Sequence, residues 1–198
     1  MSAASRSSRS QRDAMDALAM KRICAGDDEG VAELYDRYAP IALGLALKIV
    51  RDEVEAEDVV HDAFIAIVER ADQYREDRGS VVAWLVTTVR NLALDRARRR
   101  VRRAQITDEE LRHEPTPAVP DPESLFWIEQ ECAAVRHALS ELSASQRGTL
   151  LTAFFDGLSY PEIAEREGVP LGTVKSRAAR ALACLHEVLK GTIGPSDA

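Results

Sequence analysis

Residues 158–180 read LSYPEIAEREGVPLGTVKSRAAR, and the order of capping, small and basic residues in this run decides the fold. Ser159 is placed to cap a short helix with Pro161 and Glu162 in its first turn. Ile163 and Ala164 face inward, and Gly168 supplies the positive φ of a sharp turn. A second helix then starts near Leu171 or Gly172. The spacing predicts a helix-turn-helix, whose second helix lies in the DNA major groove with its N-terminal residues against base edges. The small Gly172, Thr173 and Ser176 permit close approach, while Lys175, Arg177 and Arg180 reach guanines or phosphates. A purely structural helical hairpin is the plainer alternative.

The other informative run begins at Ser80, a second N-cap. At 100° per residue, Val82, Leu85, Val86, Val89, Leu92 and Ala93 gather on one face, the expected core face. The opposite stripe is Trp84, Thr88, Asn91, Asp95, Arg98 and Arg102. A Trp in line with Asn, Asp and two Arg suits a surface where a ring stacks on a base, an amide reads its edge and guanidinium groups hold phosphates. A neighbouring helix covering Trp84 would serve equally. Basic residues also suit a helix C-terminus, but five Arg among residues 98–103 exceed what capping requires and point to nucleic acid.

The 198 residues carry 26 Lys+Arg against 33 Asp+Glu, a formal charge of −7, which taken alone disfavours a phosphate-binding partner. Charge is segregated, however. Arg90 to Arg103 holds seven Arg and one acid, whereas Ile106 to Glu131 holds eight acids and one base. The longest apolar stretch, Ile41 to Leu47, is far short of a membrane-spanning helix, for which about 20 residues are needed. The start MSAASRSSRSQR has no apolar core behind its Arg residues and is not a secretory signal, so a cytoplasmic location without membrane insertion is expected. Cys24, Cys132 and Cys184 form no C-x-x-C pair and are expected to be small buried apolar residues.

The chain divides into a Ser/Arg-rich disordered tail (1–13), a helical domain (14–105), an acidic Pro-containing linker (106–123), a second helical domain (124–193) and a short tail (194–198). The expected fold class is all-α, with two small helical domains. Glu57, Asp58, His61 and Asp62 have helical spacing, but no second cluster completes a metal site, and a protein-binding face is the better reading. No nucleophile motif, phosphate loop or catalytic pair is found, so no enzyme activity, metal or cofactor is expected.

Together these residues resemble a bacterial RNA polymerase sigma factor of the sigma-70 family, extracytoplasmic-function (ECF, group IV) type. DEVEAEDVVHDAFIAIVERADQY is similar to its region 2.2, RGSVVAWLVTTVRNLALDRARRR to its regions 2.3 and 2.4, and residues 142–182 to its region 4 with the helix-turn-helix. The resemblance implies a protein that binds core RNA polymerase through the clamp helices and flap, and directs it to promoter DNA, double-stranded at the −35 element and single-stranded at the −10 element. An anti-sigma factor is a further implied partner. Asp58, His61, Asp62 and Phe64 fall on the surface that would grip the clamp helices, with His61 standing where glutamine is more usual. The loop from Tyr74 to Ser80, with Arg75 and Arg78, would hold a flipped base. Asn91 falls where the family reads the −10 element, joined by Trp84, Arg90, Asp95 and Arg98. Gly172, Thr173, Lys175, Ser176, Arg177 and Arg180 would meet the −35 element. The acidic linker would pass through the polymerase's positively charged channel. A helix-turn-helix regulator that does not bind core polymerase is the alternative.

Overall fold

The computed structural model describes residues 3–107, 133 and 135–193, with the side chains of 10–103, 133 and 135–189. All regular structure among these residues is helical, as expected, and they form two compact units, within residues 7–124 and within 125–198.

The first unit holds α1 (Ala3–Cys24) from residue 7 onward, α2 (Asp28–Val50), α3 (Glu53–Glu69) and α4 (Val81–Thr107). Helix α1 runs through residues 3–13, where a disordered tail was expected. Its downstream half is anchored by buried Asp16, Ala19, Met20 and Ile23. With no Gly or Pro among the first 24 residues, the helix extends outward without a new nucleation cost. Asp27 caps α2 by accepting the Glu29 N–H at 3.0 Å, and Asp52 caps α3 by accepting the Glu55 N–H at 2.9 Å. The Arg22 guanidinium fastens the end of α1 to the start of α2, donating to Asp27 (2.8 Å), to Glu33 (2.5 Å) and to Glu29. At the same crossing, a Cβ on buried Gly30 would stand 2.7 Å from the backbone oxygen of Ala19.

Helices α2, α3 and α4 pack pairwise. Their buried rows are Leu34, Tyr38, Ala42 and Ala46 on α2, Ala56, Val59, Val60, Ala63, Phe64 and Ile67 on α3, and Val81, Leu85, Val89 and Ala93 on α4. The four-residue spacing on α2 and α4 gives the ridges along which helices interdigitate, and the alanines let the axes come close. On α4 the buried line is Val81, Leu85, Val89 and Ala93, while Val82, Val86 and Leu92 are only half-buried. The core face is thus rotated slightly from the one expected.

In the second unit a helical segment over 135–140 precedes α5 (Ala144–Leu151), α6 (Tyr160–Glu167) and α7 (Leu171–Ile193). Ser143 and Gln146 form a reciprocal capping box at the start of α5. That helix widens into a π-helical turn, Thr152–Asp156, which ends at Gly157 with φ 64. Both α5 and α6 pack on α7. Ile163, Ala164 and Val174 form the small core between α6 and α7, with Leu158, Tyr160 and Val169 packed around it.

The linker from residue 108, the tail 194–198 and Cys132 lie outside the described residues; Ile106 and Thr107 still belong to α4. Cys24 is exposed and Cys184 half-buried, which corrects the expectation that they are buried.

Candidate nucleic-acid interface

The helix-turn-helix is assembled as its residues dictate. At the start of α6 the Glu162 carboxylate accepts from both the N–H (2.7 Å) and the hydroxyl (2.5 Å) of Ser159. At its end Gly168 is left-handed (φ 66). The Gly168 N–H reaches Glu165 O at 3.3 Å and the Val169 N–H reaches Ala164 O at 3.1 Å, the paired bonds of a Schellman cap. Pro170 then gives its carbonyl to the Thr173 N–H at 2.9 Å, opening α7. Val174, Ala178 and Ala181 face the core, which leaves Gly172, Lys175 and Arg180 exposed and Thr173 and Ser176 half-buried. Arg177 differs from the others. It is half-buried and donates to Glu167 at 2.7 Å, fastening α7 to the end of α6. Its partner ten residues upstream is invisible to helical periodicity.

On α4 the hydroxyl of Ser80 accepts the Ala83 N–H at 3.3 Å, completing the cap expected there. Asn91, Asp95, Arg98 and Arg102 are exposed along one stripe. Asp95 and Arg98 pair at 3.8 Å, and Asn91 Oδ1 accepts from Arg90 at 3.4 Å. Trp84, at the head of the stripe, is half-buried, and the Tyr74 ring lies nearly parallel to its indole at 5.9 Å between centroids. Burial raises the pKa of the Tyr74 phenol, reinforced by the carboxylates of Glu76, Asp16 and Asp13, so it stays a proton donor. Arg75 and Arg78 are exposed in the loop between α3 and α4.

The α3 surface departs from expectation at one residue. Phe64 is 5% exposed, its ring 4.9 Å from that of Tyr35, which is itself exposed. It belongs with Val60 and Ile67 on the buried face and is not available to grip a partner. Exposed on α3 are Asp58, His61 and Asp62, together with Val54, Ile65 and Val68, which the sequence reading did not select. Val54, Asp58, His61, Ile65 and Val68 are separated by steps of four, three, four and three. That row was legible, because steps of three and four keep residues on one stripe of a helix. Arg96, on α4, donates to Asp58 (2.8 Å), Asp62 (3.3 Å) and the Glu55 carbonyl (3.3 Å), while Arg100 lies 3.8 Å from the Glu55 carboxylate. Two cations of the basic run thus brace α4 against the acidic edge of α3.

Residues 34–103 match the family described as Sigma-70 region 2, and residues 132–185 the one described as Sigma-70, region 4. The chain is 32% identical over 161 residues to the ECF RNA polymerase sigma factor RpoE of Cereibacter sphaeroides, covering 81% of this chain and 87% of that protein. It belongs to the sigma-70 family as an ECF sigma factor. The ECF sigma factor SigK of Mycobacterium tuberculosis is 30% identical over 181 residues, covering 88% of this chain and 93% of that protein. Among solved structures, Rhodobacter sphaeroides SigE in complex with the anti-sigma ChrR is 29% identical, covering 88% of this chain and 98% of that one at a TM-score of 0.45. As an ECF sigma factor the protein binds core RNA polymerase and directs promoter-specific initiation through the −10 and −35 elements. The alternative of a regulator that does not bind core polymerase is not favoured. Among the described residues, no helix of this sigma factor is long and apolar enough to cross a membrane.

Proposed function

We propose that the sigma factor divides its work among three helices. The α3 seam of Val54, Asp58, His61, Ile65 and Val68 meets the polymerase clamp helices, helix against helix. The α4 stripe tracks the single-stranded −10 element, with Asn91 reading a base edge, Trp84 supporting stacking, and Arg90, Arg98 and Asp95 ordering the strand; the loop from Tyr74 to Ser80, bearing Arg75 and Arg78, takes the flipped base. The N-terminal turns of α7 meet the −35 element through Gly172, Thr173, Lys175, Ser176 and Arg180, held in place by Arg177. Region 4 docks on the flap. An anti-sigma factor is the regulatory partner that the family resemblance implies, and the protein acts in the cytoplasm without catalysis of its own. The domain limits proposed for these tasks are 14–105 and 124–193.

The observation that carries this reading is the exposed row of Asn91, Asp95, Arg98 and Arg102 continuing from Trp84 on one helix. Its test is run-off transcription by the reconstituted holoenzyme from a library randomised over both elements. Asn91→Ala is expected to change preference at the −10 element alone, and Arg180→Ala at the −35 element alone, with about 1–3 kcal/mol of discrimination lost for a bidentate guanine contact. A uniform loss across all promoters in either variant would reassign that residue as a phosphate contact.

A further inference from the structure

The loop between α3 and α4 is closed on itself in the protein alone. The Tyr74 phenol donates to the Gly79 carbonyl at 3.2 Å, spanning the loop from end to end. The Tyr74 ring stacks on Trp84 with 16° between planes, which fastens the same residue to the first turn of α4. Within the loop, Arg75 donates to the carbonyls of Asp72 (2.8 Å) and Tyr74 (2.9 Å). A 3-10 turn, Glu76–Arg78, is completed by the Arg78 N–H on Arg75 O (3.0 Å) and the Gly79 N–H on Glu76 O (3.3 Å). Gly79 closes the circuit at φ 136, ψ 173, a conformation that glycine alone adopts readily. Glu76, Asp77 and Arg78 are exposed around this ring, whereas Tyr74 is half-buried.

A tyrosine whose hydroxyl donates to the chain's own backbone and whose ring rests on a neighbouring indole has no proton left to donate to a base edge, and its ring is held in place. We propose that Tyr74 is a positioning residue: it holds residues 75–79 closed into the cradle that receives the flipped −10 base, and so sets base preference there without reading the base itself. This rests on the reading of the loop as the −10 capture site. A cradle already ordered before DNA arrives does not have to be ordered while the base is being unstacked, and discrimination then comes from a fixed geometry.

The test compares holoenzymes carrying Tyr74→Phe, Tyr74→Ala, Gly79→Ala, the double variant Tyr74→Ala/Gly79→Ala, and a loop variant with Arg75, Glu76, Asp77 and Arg78 all replaced by Ala, on the randomised promoter library. Tyr74→Ala is expected to flatten preference about tenfold at one −10 position and to leave the −35 profile unchanged. Tyr74→Phe, which keeps the stack and loses the bond to Gly79, falls between it and the wild type. Gly79→Ala reshapes the far end of the same circuit and gives the same flattening, and the double variant is no worse than either single one. In the sigma factor without polymerase, amide exchange at Arg78 and Gly79 accelerates in Tyr74→Ala. Additive losses in the double variant, a switch of preferred base in Tyr74→Phe, or unchanged exchange in Tyr74→Ala would overturn the proposal. An intact −10 profile in the four-alanine loop variant would instead overturn the reading of the loop, and the proposal with it.

Discussion

Asp16 is 1% exposed, yet it bears a carboxyl in a helical core. The Tyr38 hydroxyl and the Arg37 guanidinium both donate to it, the arrangement a buried carboxylate requires. Burial nevertheless outweighs them and raises the Asp16 pKa above its usual value. Between the ordinary carboxyl value and that raised one, the folded protein keeps a proton that the unfolded chain has lost, so stability falls as pH rises across the window. Urea unfolding of the wild type and Asp16→Asn over an acidic pH series is therefore expected to show the wild type's relative stability declining with rising pH, then levelling above the folded pKa. A difference constant with pH would refute this. Nothing in the run around Asp16 announces the burial, because its partners lie more than twenty residues downstream on another helix. Phe64 shows the converse. Its place was legible from the apolar period it shares with Val60 and Ile67, while matching positions to a family motif carries no information about which way a side chain turns.

Where α1 crosses α2, the limiting distance is set by backbone. The nearest atom to a Cβ on Gly30 is the Ala19 carbonyl oxygen at 2.7 Å, with Arg22 Cβ at 3.0 Å and Ile23 Cγ1 at 3.1 Å behind it. A main-chain atom cannot step aside as a flexible side chain does, so Gly30→Ala is expected to cost about 1–3 kcal/mol by overpacking, measured as a lowered denaturation midpoint at unchanged slope. Unchanged stability would mean that the crossing yields. Capping and punctuation made most elements legible in advance: Ser80 opens α4, Ser159 opens α6, and Gly168 ends it at positive φ. Helix α1 was not legible over its first half, because composition describes a segment alone and not the anchored helix it extends. The tie between Arg177 and Glu167 was hidden for the same reason, since it runs between helices.

The chain as a whole keeps a formal charge of −7 while presenting basic faces on α4 and α7. Its acidic block, proposed to follow the polymerase's own positive channel, should act on the enzyme and not on promoter choice. Replacing Asp108, Glu109, Glu110 and Glu114 with Ser is expected to lower the yield of initiated transcripts while the −10 and −35 base preferences stay as they are; normal initiation would remove this role. One brace inside the first unit bears on how the two ligands meet. Arg96 belongs to the helix proposed to follow DNA, but its donors go to Asp58 and Asp62 on the helix proposed to face the polymerase. If docking drew those carboxylates outward it would free the Arg96 guanidinium for the DNA strand, and a strand that took up the guanidinium would leave the carboxylates to the enzyme. Each ligand would then strengthen the other by one shared factor. Core affinity measured with and without a −10 oligonucleotide should differ in the wild type, and the difference should vanish in Arg96→Gln. A single guanidinium would make enzyme and promoter reciprocal effectors of this sigma factor.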